Sequence, residues 1–292
     1  MENTNYVEFK RERDLGAIIT DTFKFIRENW KAYFGTIIKI AGPFMLVGLI
    51  IMAYAFTSFS GFFSDLENID NDTNGLSSSM PALISGIGIL ILVGIAVYVL
   101  VSATSLYYIK SYIDNNGNVD FTEVRKNTFK NIWKFLGLGI AMMLMVIIGM
   151  VLCYIPGIYI AIVMSLSTSV MVFENKGISD TISHSFKLIK DHWWSTFGII
   201  FLVSILVGVL GSVFSVPAFI YQMAKMATIS NETDALSGLF GDPIYIGLNI
   251  LSYAGKFILS SITLIATVFV YYDLNEQKNL TGTLEKIDSL GQ

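Results

Sequence analysis

Long uncharged stretches alternate with short polar ones along this chain. Residues 40–64, 73–109, 135–173 and 192–224 contain no Asp, Glu, Lys or Arg. A helix needs roughly 20 apolar residues to cross a bilayer core, so 135–173 is long enough for two crossings. The pattern predicts six spans, at about 34–59, 81–109, 135–154, 157–173, 197–222 and 243–272. The third and fourth are separated only by Tyr154-Ile155-Pro156-Gly157. Pro-Gly marks a turn, which predicts a tight hairpin there. The other two hairpins have loops, 60–80 and 223–242, rich in Asn, Asp, Ser, Thr and Gly.

The polar stretches carry a repeat. Thr22-Phe23-Lys24-Phe25-Ile26, Thr128-Phe129-Lys130-Asn131-Ile132 and Ser185-Phe186-Lys187-Leu188-Ile189 each precede an apolar run. Trp30, Trp133, Trp193 and Trp194 follow them closely. A shift of 163 positions pairs Thr22 with Ser185, Lys24 with Lys187, Trp30 with Trp193 and Gly35 with Gly198. The middle copy needs a short deletion to join the register. The three return spans each begin with a proline, Pro81, Pro156 and Pro243, a residue suited to a first helical turn. Asp242 ahead of Pro243 reads as an N-cap.

The segments around the repeat are amphipathic. Leu15, Ile18, Ile19, Thr22, Phe23, Ile26 and Trp30 follow helical spacing, and Ile178, Thr181, Ile182, Ser185, Phe186, Ile189 and Trp193 repeat the stripe. Such helices are expected in the membrane interface, with the four tryptophans as anchors. The fold class expected is therefore all-α and polytopic: six transmembrane helices in three parallel units, each an interfacial amphipathic helix plus a transmembrane hairpin. The units would cover about 13–109, 120–173 and 178–272 of a single integral membrane domain, with a polar tail over 273–292.

Composition and charge sharpen this picture. Hydrophobic residues make up 53% of the chain and charged ones only 14%, against about 25% charged in soluble domains. Sixteen Lys and Arg lie on one side of the predicted spans and only Lys225 on the other. The positive-inside rule then places both termini in the cytoplasm. Met1 to Arg13 lacks the layout of a cleavable signal peptide, so the first span is expected to act as its own insertion signal. No basic run suggests nucleic acid. Cys153 is the one cysteine, which rules out an intrachain disulfide. Asn71-Asp72-Thr73 and Asn231-Glu232-Thr233 match a glycosylation pattern and are read as chance.

Pro156-Gly157-Ile158-Tyr159, Ser165-Leu166, Glu174, Gly177 and Ser185-Phe186 together carry a family resemblance. The chain resembles the bacterial polytopic membrane-domain family related to the membrane part of glycerophosphoryl diester phosphodiesterases. The resemblance covers most of the chain in architecture and about 35 residues in motif. It implies a membrane domain of uncharacterised function. The family often carries an arginine where Val163 stands here, so no role passes to that position. Related chains sometimes carry carotenoid-oxygenase names. That activity calls for a cluster of iron-binding histidines, and this chain has two.

Candidate chemistry is sparse. Lys256 lies about 13 residues into the last span, and a charge at the bilayer centre usually faces a bundle interior or a water-filled cavity. It is the candidate intramembrane functional residue, lining a site for an anionic headgroup or solute. Lys39 reads as snorkelling from the first span. His184 and His192 fall short of the three or four ligands a metal site needs. Ser204, Gly208 and Ser212, like Gly86 and Gly94, read as helix-packing positions. No nucleophile elbow, P-loop or dinucleotide fingerprint is present. These features predict a non-enzymatic membrane protein without cofactor or metal. It would act as a scaffold, accessory or lipid-interacting component, with membrane lipids and other membrane proteins as partners. A transporter for a small anionic solute or lipid is the alternative, resting on Lys256, Pro43 and Pro217.

Overall fold

The computed structural model describes residues 6–67, 73–227 and 238–290. Both glycosylation patterns lie wholly or partly outside them. The described residues contain no strand. The helices are α1 (Leu15–Glu67), α2 (Thr73–Asp114), α3 (Phe121–Leu152), α4 (Tyr154–Ser165), α5 (Ser167–Phe173), α6 (Ile178–Ile189), α7 (Trp193–Met226), α8 (Pro243–Asn279) and α9 (Thr281–Leu290). Six segments are long and apolar enough to cross a membrane, with α4 and α5 together forming one of them. The protein is thus all-α with six such helices, matching the six apolar spans expected.

Several boundaries differ from the expected ones. The first two amphipathic segments are not separate interfacial helices. They run without a break into α1 and α3. Only the third is a helix of its own, α6, set off from α7 where Asp191 adopts a φ of 72°. Pro81 sits inside α2 rather than at its start, whereas Pro243 opens α8 as expected. The α3–α4 break falls at Cys153, a single extended residue with φ −171° and ψ 147°. Pro156 and Gly157 belong to the first turn of α4. The hairpin itself is formed, for α3 packs directly on α4. Glycine is required at its crossing. A Cβ on Gly149 would stand 2.9 Å from the Gly157 Cα, and one on Gly157 would stand 2.8 Å from the Met150 backbone nitrogen.

The chain forms two compact units. The first comprises residues 1–40, 99–207 and 260–292. Its core includes Phe9, Ile18, Phe25, Tyr33, Leu106, Tyr108, Leu138 and Phe269, all without solvent exposure or nearly so. The repeat acquires a physical meaning here. The hydroxyl residue of every copy, Thr22, Thr128 and Ser185, is fully buried. Each donates to the carbonyl four residues back, at 2.7, 2.8 and 2.9 Å. The residues at those carbonyls, Ile18, Val124 and Thr181, are buried too. Phe23 and Phe186 are half-buried and Phe129 is exposed. The stripe that packs is therefore rotated from the aromatic one. Small hydroxyl residues allow close helix approach while satisfying their own polar group within the helix.

A segment ahead of α1 completes this unit. Val7 and Phe9 are buried, the Phe9 ring stacking on Phe269 at 4.3 Å. The Arg13 side chain is 1% exposed and reaches Asp21 at 2.9 Å. It also donates to the carbonyls of Phe9, Arg11 and Glu8 and lies over the Phe269 ring. Desolvation pushes the Arg13 guanidinium down from its ordinary value, with Asp21 opposing. At the other end of the chain, Glu276 accepts from the Gly282 and Thr283 backbone nitrogens at 2.7 and 2.8 Å and so caps α9. A Cβ on Gly282 would fall 2.5 Å from the Lys10 carbonyl oxygen, so the two terminal segments meet.

The second unit comprises residues 41–98 and 208–259. Phe240 stacks on Phe59 and Phe63, and Tyr245 stands edge-on to Phe56. Asp242 caps α8 as expected, accepting from the Ile244 nitrogen at 2.8 Å. Its other oxygen takes the Tyr221 hydroxyl at 2.7 Å and the Lys225 ammonium at 2.8 Å. Lys225 and Tyr221 hold the Asp242 carboxyl well below the usual carboxylate range.

Candidate functional site

Lys256 occupies the second unit and lies on α8, opposite the middle of α7. A Cβ on Gly211 would touch its side-chain stem at 3.4 Å. The side chain is exposed rather than enclosed by the helices, which departs from the interior placement expected. Its ammonium stands 5.7 Å from the Tyr253 ring centroid. Tyr253 also borders a cavity of about 200 Å³ between α1, α2 and α8. Met45, Met52, Leu90, Val97 and Phe257 are among its walls. A charged group at mid-span thus shares one aromatic ring with an apolar slot. Small residues give the slot its room. Gly94 lines it, and a Cβ added there meets nothing within 4 Å.

The tryptophans behave in two ways. Trp30, Trp133 and Trp194 are 53%, 77% and 78% exposed, while Trp193 is half-buried. The Trp193 ring stacks between Tyr159 and Phe197, and its indole N–H donates to the Tyr159 carbonyl at 3.3 Å. Lys39 turns its ammonium to the Phe121 ring at 5.6 Å. Ser204, Gly208 and Ser212 are exposed on α7, with open space over Gly208.

The residues that carried the family resemblance converge in the first unit. Ser185 receives the Ser167 hydroxyl at 3.0 Å, just after the interruption at Leu166. Glu174, at the end of α5, gathers three groups. Lys176 stands 2.5 Å from one oxygen, and His184 and the donating Tyr271 hydroxyl each stand 3.1 Å from the other. Burial lowers the His184 pKa below its ordinary 6.5; Lys176 and Lys187 push the same way and Glu174 opposes them. Only one carboxylate meets this histidine, and His192 lies elsewhere, on the turn before α7. Among the described residues no group of three or more His, Cys, Asp or Glu could hold a metal ion.

The direction of the His184 shift predicts a pH effect. The unfolded chain takes the proton first, so this contribution to stability is complete above about 6.5 and is lost as pH falls through the folded value. Thermal melts in detergent should therefore show a decline in Tm on acidification that is shallower in His184→Gln. A pH-independent gap between the two proteins would sink this reading.

Sequence reasoning missed the segment before α1. The signal was present: Val7 and Phe9 alternate with Glu8 and Lys10, the period of an extended chain with one buried face.

The architecture defines a class, the multi-pass membrane proteins. Beyond it, the chain matches no family model, and no curated protein or solved structure shows a significant likeness to it.

Proposed function

We propose that this is a non-enzymatic integral membrane protein that works by holding a lipid, as an accessory or scaffolding component of the cytoplasmic membrane. The ligand is an amphiphile with an apolar chain and an acidic head. The observation that carries this reading is the apolar cavity beside the mid-span ammonium of Lys256, joined to it through Tyr253. A bare ammonium in hydrocarbon is costly, and an acidic head would neutralise it. The transporter reading needs a polar route, whereas the walls beside Lys256 are apolar, which favours holding over passage.

Two finer statements belong with this proposal. The matched burial of Thr22, Thr128 and Ser185 supports three related units, each beginning with one copy of the repeat. The contact between Lys10 and Gly282 supports both termini lying on one side, which the charge asymmetry makes cytoplasmic.

Native mass spectrometry of protein released from nanodiscs tests the reading. Wild type should retain an acidic lipid. Lys256→Ala should reduce retention about tenfold, the worth of one charge-assisted hydrogen bond. Gly94→Leu should fill the slot and abolish retention. Unchanged retention in both folded variants would refute the proposal.

A further inference from the structure

A second, polar pocket lies within the first unit, and no part of the proposed function uses it. It measures about 170 Å³ and opens between the start of α1, the first turns of α7 and the end of α8. Its walls include Asp14, His192, Ser195, Thr196 and Asp273. Two of its wall residues keep polar capacity that the protein does not use.

The first is Thr196. It is 1% exposed, yet its hydroxyl has no hydrogen-bond partner. Thr22, Thr36 and Thr128 all spend their hydroxyls on the carbonyl four residues back. Thr196 does not, although its backbone nitrogen makes the ordinary helical bond to the His192 carbonyl. Its hydroxyl is thus unspent, on a residue that lines the pocket.

The second is Asp273. Its carboxylate is 6% exposed residue-wide and makes no ion pair among the described residues. One oxygen accepts from the Arg13 backbone nitrogen at 2.8 Å and the other from the Gln277 amide at 3.0 Å. Arg13 also lines the pocket, but its guanidinium is directed to Asp21 and three carbonyls and makes no ion pair with Asp273. A carboxylate has about four acceptor positions, so two remain for a cation.

The same pocket also offers an anion contact. The first N–H groups of a helix have no partner inside it and carry partial positive charge. At α7 these belong to Trp193, Trp194 and Ser195, and Ser195 adds an exposed hydroxyl. The two tryptophans place this turn at headgroup depth.

We infer that this pocket binds a phosphoethanolamine group. Its primary ammonium sits between Asp273 and the Thr196 hydroxyl, and its phosphate lies at the first turn of α7. The same chemistry is offered by phosphatidylethanolamine and by soluble O-phosphoethanolamine.

The test uses the full chain in phosphatidylglycerol nanodiscs containing a minor share of phosphatidylethanolamine or, separately, phosphatidylcholine. Wild type should retain phosphatidylethanolamine more than phosphatidylcholine at the same share, the phosphatidylglycerol host being left out of the comparison because the Lys256 slot takes acidic lipids. Thr196→Val and Asp273→Asn should each lower that enrichment about tenfold. Thr196→Val removes a hydroxyl that bonds to nothing in the protein, so it should fold normally even where Asp273→Asn does not. A second arm adds O-phosphoethanolamine to delipidated protein in detergent. A rise in Tm that Thr196→Val abolishes, without lipid enrichment, assigns the site to the soluble form. Equal retention of phosphatidylethanolamine and phosphatidylcholine together with no Tm response overturns the inference, as does an enrichment untouched by Thr196→Val. Lys256→Ala and Gly94→Leu should leave these readouts unchanged, which separates this site from the acidic-lipid slot.

Discussion

Replacing Arg13 with methionine is expected to cost about 3–5 kcal/mol of stability, the usual penalty for removing one partner of a buried ion pair. The size follows from what the guanidinium serves. It is almost fully enclosed, binds Asp21, and satisfies three backbone carbonyls of a segment with no helix of its own. Without it those acceptors lose their donor and Asp21 keeps only Arg11, whose side chain is 50% exposed. Arg11→Ala should cost no more than about 1 kcal/mol, since exposed pairs contribute little. Asp21→Asn combined with Arg13→Met should cost less than the two separately, because the pair is removed together. Unfolding titrations from mild detergent into SDS measure all four proteins. Equal losses for Arg13→Met and Arg11→Ala would contradict the network described.

The second large effect is expected at the α3–α4 crossing. Gly157→Leu should destabilise by about 1–3 kcal/mol or more, the range for overpacking a filled contact. The added side chain meets Met150, whose side chain can move but whose backbone nitrogen cannot. Gly149→Val should behave alike, because its Cβ is aimed at the Gly157 backbone. Gly208→Ala is the matched control. It also places a methyl group on a predicted span, but into open space. The same titration should show it near neutral, and parity among the three variants would remove the claim of close contact.

These two sites show what could be read from the chain. The six long apolar helices were legible because a membrane crossing demands a long apolar run that tolerates at most an isolated charge, such as Lys39 or Lys256. The repeat was legible as spacing, but its meaning was not. Spacing put Thr22 with Phe23 and Ser185 with Phe186 on one stripe, while only the hydroxyl residues, Thr128 among them, are fully enclosed. Lipid tails are as apolar as a protein core, so hydrophobicity does not distinguish a lipid-facing face from a packed one. Small hydroxyl residues mark the packed face in the three repeat copies, though Ser204 and Ser212 on α7 are exposed. The break at Cys153 escaped notice because Pro156-Gly157 carries the stronger local turn signal, and both residues fit a first helical turn. The Lys256 position was legible from the span alone, but its exposure depends on how α7 and α8 pack. Asp273 drew no attention because its burial depends on Arg13, which is 260 residues away.

That separation also bears on biosynthesis. Phe9 and Arg13 leave the ribosome long before Phe269 and Asp273 exist. At about 5–20 residues per second the wait is roughly 13–50 s. During that time Phe9 can already meet Phe25 and Tyr112, and Val7 the Tyr112 hydroxyl, while the side of the segment that Phe269 and Asp273 cover stays open. α8 therefore closes over a segment made some 260 residues before it.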